Sequence, residues 1–181
     1  MKRRVTVVTA AVLLAGAMLV GVTYAYLVSR ASPLVNTFVS GDIEISLTES
    51  TGSTYTLVPG CTLQKDPRIT VKDGSEECWL FFRLEDETPE GIVDYSPDDG
   101  WNALSGEAGV YWRRVSECRE DKVYSILKGD CITVVPTATE EKLAALGSGV
   151  KLSFTAYAVQ YEGIPTAEEA WNIIKKEGDG A

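Results

Sequence analysis

The chain has 181 residues, a formal net charge of −9 at pH 7 and no histidine. Such an acidic chain repels nucleic acid, whose binding needs cations to neutralise phosphates, and anionic lipid surfaces. Without imidazole there is no H-E-x-x-H zinc pair and no histidine general base, which excludes the zinc proteases and Ser-His-Asp hydrolases built on them.

The first predicted element is an export signal. Lys2, Arg3 and Arg4 precede an uncharged apolar run from Val5 to Val22. As a helix that run spans about 27 Å, the short end of what crosses a bilayer. A basic start, an apolar stretch and then small residues predict a secretory signal peptide. Thr23 and Ala25 fit the small-x-small rule for cleavage, which makes Tyr26 the new first residue. The alternative is a retained anchor oriented by its three cations. Removing residues 1–25 takes away those three cations and no acid, so the formal charge moves from −9 to −12. Residues 26–181 are then long enough for one domain with its own core, secreted or held at the cell surface.

Strand patterns fill most of the remainder. In "GDIEISLTE", Ile43, Ile45 and Leu47 alternate with polar residues, the mark of a half-buried strand. "STYTLVPG" ends in a Pro-Gly turn, and "RITVKDG" sends Ile69 and Val71 inward before turning. "CWLFFRLED" is apolar on both faces, as a central strand is. "DETPEGIVDYSPDDG" reads as an acidic, turn-rich loop. "GVYWRRV", "KVYSILKGD", "CITVVPTA" and "KLSFTAYAVQYEG" complete about eight strands, the last with Leu152, Phe154, Ala156 and Ala158 on one face. The predicted fold is all-β: an antiparallel, jelly-roll-like β-sandwich with one or two short helices.

The first of those helices is "TATEEKLAALG", stopped at Gly147. The second, near 167–176, opens with the capping pair Thr166 and Glu169, carries Lys175 and Lys176 at its end, and lines up Ala170, Ile173 and Ile174 for docking on the sandwich.

Cys61, Cys78, Cys118 and Cys131 all follow the leader. An even number in an exported chain predicts two disulfides, with free thiols as the alternative, and the absence of C-x-x-C argues against zinc. Four cysteines allow three pairings. Cys61 with Cys131 is the favoured one, because each follows a glycine turn ("VPGC", "KGDC") at the start of a strand.

Two clusters carry alternatives. Asp94, Asp98 and Asp99 with Trp101 could hold calcium or a sugar, but the spacing is not that of an EF-hand, and a solvated acidic turn is the simpler reading. Glu85, Asp86 and Glu87 read as a strand end and its turn. Trp79, Phe81, Phe82, Tyr111 and Trp112 are either a binding platform or core, with core favoured for Phe82. Arg113 and Arg114 read as surface partners of nearby acids.

Taken in order, "VTYAYL", "NTFVSGDIEISL", "LVPG", "KDPRITV", "SEECWLFFRL", "DGWNAL", "GVYWRRV", "KLSFTAYAVQ" and "AEEAWNII" resemble the TasA/camelysin-like exported proteins of Gram-positive bacteria, above all the short members cut by a SipW-type signal peptidase. The resemblance spans nearly the whole chain. It implies a cleaved leader, a jelly-roll sandwich, and a place in the extracellular, biofilm-type matrix as a fibre or fibre-accessory subunit. The expected partners are the peptidase, sibling matrix subunits and further copies of the chain, with membrane contact only during export and no cofactor. Some relatives carry a metalloprotease label, which a chain without histidine contradicts; no enzyme activity is expected.

An extended mature N-terminus can add itself as a strand to a neighbour's sheet edge, and Tyr26, Leu27, Val28, Leu34, Val35 and Phe38 are the apolar residues of that candidate assembly segment. Docking on its own sheet is the alternative. A secreted carbohydrate- or protein-binding module is the second functional reading, and a carboxylate-dependent hydrolase the third.

Overall fold

The computed structural model describes residues 28–31, 38–40, 43–51, 57–139 and 152–178. The apolar run Val5–Val22, the cleavage residues Thr23, Ala25 and Tyr26, the segment residues Leu27, Leu34 and Val35, and most of the helix expected over 137–147 lie outside them.

Alternating burial builds the strands. β1 (Val28–Ala31), β2 (Phe38–Ser40) and β3 (Ile43–Thr48) come first, and β3 buries Ile43, Ile45 and Leu47 while the residues between them face out. β4 (Thr62–Gln64) follows the turn at Gly60, with β5 (Arg68–Val71) and β6 (Cys78–Asp86) next. β7 (Val93–Asp94), β8 (Asn102–Ala103), β9 (Val110–Val115), β10 (Lys122–Ser125), β11 (Cys131–Val134) and β12 (Leu152–Gln160) complete the set. One helix, α1 (Ala167–Gly178), closes the described chain.

The strands form antiparallel sheets in the orders β1-β12-β6-β9-β8, β10-β5-β3-β2 and β4-β11-β7. The sandwich expected from sequence is therefore present. Its core lies between the five-stranded sheet and the two smaller ones. Leu80, Phe82 and Phe154 from one side meet Ile45, Ile69, Val71 and Ile132 from the other.

The central strand β6 faces two ways, as its double apolar pattern required. Cys78, Leu80, Phe82 and Leu84 enter the sandwich, while Trp79 and Phe81 point to the opposite face. There α1 covers them with Ala170, Trp171 and Ile174. Phe81 and Tyr157 both pack on the Trp171 ring, with centroids 5.4 and 5.3 Å away. The Thr166 hydroxyl accepts the Glu169 N–H at 3.2 Å, the N-cap that the sequence predicted. The molecule thus has three layers, small sheets, large sheet and helix.

One ribbon joins the sandwich layers. In both β5–β10 and β6–β9, residue i pairs with residue 193 − i. Between the two ladders the chain turns, and there Cys118 donates its N–H to the Ser75 carbonyl at 2.8 Å and its own carbonyl accepts the Gly74 N–H at 2.9 Å, while the Lys72 and Asp121 side chains pair at 2.8 Å. Residues 68–83 and 110–125 thus run antiparallel as a two-armed ribbon, laddered at both ends and bent over a corner from one sheet into the other.

Candidate functional site

The β12 edge is the candidate site, because it is where the N-terminal segment meets the body. β12 is tied to β6 along its whole length, from Leu152 opposite Asp86 to Gln160 opposite Cys78. Its other side receives β1 over four residues, with Val28 opposite Val159, Ser29 opposite Ala158, Arg30 opposite Tyr157 and Ala31 opposite Ala156. β1 also approaches β2, β3 and α1, so this slot lies where the three layers meet.

The acceptor strand suits this place. Ala156 and Ala158 turn fully buried methyl groups into the sandwich core, and Val159 faces the helix layer. Two alanines in a strand that otherwise carries Phe154, Tyr157 and Val159 keep the face beside the slot low. The sequence marked β12 as a strand but not as an acceptor, although this small-residue pair was the available signal. Of the expected assembly residues, Val28 and Phe38 fall on β1 and β2. The N-terminal strand thus docks on its own sheet, the alternative that the sequence left open.

The acidic loop does other work. The Asp98 N–H bonds the Ile126 carbonyl at 2.8 Å, Asp99 pairs with Lys128 at 3.1 Å, and Asp94 sits on β7. Trp101 donates its indole N–H to the Ser125 carbonyl at 2.8 Å and packs edge-on against Phe82, centroids 4.7 Å apart. It is a half-buried wall whose N–H and ring are both engaged within the fold. Among the described residues no three His, Cys, Asp or Glu side chains converge to hold a metal ion. Glu85 pairs with Arg83, and Asp86 accepts hydrogen bonds from the Tyr95 hydroxyl and the Thr88 N–H, as a strand end and its turn do.

The aromatic residues divide between layers. Phe82 stacks with Tyr111 in the sandwich, and Trp79 meets Trp112 edge-on beneath the helix layer. Arg114 pairs with Glu77 as expected and lies 3.8 Å over the Tyr161 ring. Arg113 departs from the expected surface ion pair. Its guanidinium lies 4.1 Å from the Tyr124 ring centre and 5.1 Å from that of Trp101, and burial lowers its pKa. A planar cation is drawn to the negative faces of aromatic rings, which is why it stacks here.

All four cysteines are free thiols. The favoured Cys61–Cys131 bridge is excluded by register. The Val134 N–H bonds the Cys61 carbonyl, placing Cys61 beside Val134, whereas Cys131 lies opposite Gln64. Three residues of strand separate them, roughly 10 Å, and an odd offset sends their side chains to opposite faces. A disulfide needs Cα atoms within about 7 Å. Glycine turns had located the starts of two strands, not their alignment.

An open groove of about 1070 Å³ runs along the ribbon corner, with Glu76, Glu77, Glu117 and Glu162 on its walls. Among the described residues no helix is long and apolar enough to cross a membrane. No family model, no curated protein and no solved structure matches the chain.

Proposed function

We propose that the chain is an exported structural subunit of an extracellular, biofilm-type matrix, acting by contact instead of catalysis and assembling by exchange of its N-terminal strand. The single observation that carries this reading is the β1 slot. A four-residue strand fills an edge of the main sheet and is joined to the body through residues 32–37. The same backbone ladder accepts Val28–Ala31 from a second copy as well as from its own chain, because the rungs are identical. Exchange between successive copies is head-to-tail and does not close, so it extends into a filament.

Two further features support it. The leader pattern at residues 1–25 sends the chain outward, with a SipW-type peptidase freeing the segment that would be donated. The ordered motif series resembles the TasA/camelysin-like matrix proteins, whose fibre subunits, with siblings of this chain, are the proposed partners. Of the carboxylates in the acidic loop, Asp99 pairs with Lys128 at 3.1 Å.

Deleting Tyr26–Val35 from the exported chain should leave a folded monomer that forms no filaments. Electron microscopy and sedimentation across a concentration series measure this. Filaments of normal length from the truncated chain would overturn strand exchange. Recovery of the exported protein with residues 1–25 still attached would overturn the leader reading.

A further inference from the structure

The corner of the ribbon holds two cysteines. Within a flat ladder, residues three apart face opposite ways. Here they do not. Ser75 and Cys78 on one arm, and Val115 and Cys118 on the other, are all buried, while Glu76, Ser116 and Glu117 are exposed and Glu77 is half-exposed. Two successive residues turned outward on each arm are what bends the ribbon, and the bend puts the rungs 75/118 and 78/115 next to each other on its concave side.

Cys78 and Cys118 are therefore diagonal neighbours on facing arms. On a flat ladder a three-residue offset is about 10 Å along the strand; here the bend turns both side chains onto its concave side, near enough that Cys118 is among the groups that raise Cys78. Both thiols belong to the same buried core cluster, and they are its only cysteines among the described residues. Cys61 is exposed and Cys131 half-exposed on the other small sheet. The two corner thiols also differ in character. Burial pushes Cys78 up to about 12, and the neighbouring Cys118 adds to that rise. Cys118 is raised by burial too, but the Lys122 ammonium opposes the shift. Cys118 is the thiol whose ionised form has a cation beside it.

The geometry points to a modification site at this corner: Cys78 and Cys118 close into an intramolecular disulfide on meeting a disulfide oxidant, such as oxidised glutathione or a C-x-x-C oxidoreductase. The Cys118 thiolate attacks one sulfur of the oxidant's disulfide, forming a mixed disulfide and releasing one thiolate. Cys78 then gives up its proton to solvent and attacks the Cys118 sulfur, which forms the Cys78–Cys118 bond and expels the second thiolate. Two electrons pass from the cysteine pair to the oxidant, which ends as two thiols. The bond closes a 40-residue separation and pins the start of β6 to the segment between β9 and β10, fixing the angle between the sandwich layers. Strand exchange at β12 plays no part in it.

The test uses the full chain carrying Cys61→Ser and Cys131→Ser, two positions outside the core cluster. Incubated in a glutathione redox buffer and then alkylated in denaturant, it should lose both alkylatable thiols and a mass equal to two hydrogens. Digestion should yield a reducible peptide joining Cys78 to Cys118, and the melting temperature should rise, with reductant reversing the rise. Retention of both thiols, addition of two glutathiones, or a disulfide dimer would each overturn the proposal. In the chain with all four cysteines, a main cross-linked peptide containing Cys61 or Cys131 would overturn it as well.

Discussion

Trp79, on the central strand, donates its indole N–H to the main-chain oxygen of Ile164 at 3.0 Å, across 85 residues of sequence. The bond fastens the segment that leads into α1 to the face α1 covers, where Trp79 also meets Trp112 and Tyr161. Trp79→Phe keeps an aromatic ring but leaves the Ile164 carbonyl unpaired in a buried site. The expected loss of stability is about 1–3 kcal/mol, measured by urea unfolding. A loss below about 0.5 kcal/mol would show that water replaces the indole there, a bridge that is itself nearly as good as a direct bond.

Two glycines with similar backbone angles should respond differently to alanine. Gly74 has φ +81° and open space around a would-be Cβ; Gly109 has φ +74°, and a Cβ there collides with the Leu84 carbonyl oxygen. Gly74→Ala should cost about 1–2 kcal/mol, the strain of a left-handed residue alone. Gly109→Ala must also displace backbone, because the Leu84 N–H bonds the Gly109 carbonyl at 2.8 Å. It should therefore cost clearly more, and equal losses in chemical denaturation would refute the distinction.

Arg113 and Arg114 are adjacent in sequence and unequal in role. Arg113→Lys gives up the planar stack on Tyr124 and Trp101 and should destabilise by about 1 kcal/mol. Arg114→Lys, on the exposed side with Glu77, should do less, and added salt should erase its effect first. Thermal melts at low and high ionic strength separate the two. A larger loss for Arg114→Lys would reverse the assignment.

Asp66 governs an acid limb of stability. Its carboxylate accepts hydrogen bonds from the Ser50 hydroxyl and from the Ser50 and Thr51 N–H groups at 3.0 Å, and the Ser50 hydroxyl above all holds its pKa down at about 2. A depressed folded pKa contributes in full above the unfolded value of about 4 and is lost as pH falls through the folded value. Asp66→Asn should therefore be less stable than the parent at pH 6, and the gap should narrow between about pH 4 and pH 2. Because the site is solvent-exposed, the gap should be modest. A gap that stays constant down to pH 2 would mean that the carboxylate is not the group responsible.

The sandwich was readable because its main strands are half-buried. Ile43, Ile45 and Leu47, or Phe154, Ala156 and Ala158, repeat every second residue, and only a pleated strand aligns such a set. The two-faced pattern of β6 was equally plain. What lay over its second face was not, since Trp171 joins Phe81 and Trp79 through a contact formed far along the chain. Short strands such as Val28–Ala31 and Thr62–Gln64 carry too few residues to declare a period, so the partner decides them. Most of the strand expected in "STYTLVPG" lies outside the described residues, and its turn at Gly60 leads into Thr62–Gln64. Arg113 was misread for a related reason: its aromatic neighbours Trp101 and Tyr124 come from a loop and a strand distant in sequence.

The constant pairing rule of the ribbon has a consequence for how this chain can change length. A single residue inserted into one arm at the corner, between Lys72 and Glu77, must be taken up by the turn there, or it slips the rungs beyond it and turns Ile69 and Val71 out of the core. A matched insertion between Ser116 and Asp121 would restore the alignment. A change of length at this fold-over is therefore best matched on the facing arm, whereas one between Leu84 and Gly109, at the closed end of the ribbon, leaves these rungs in place.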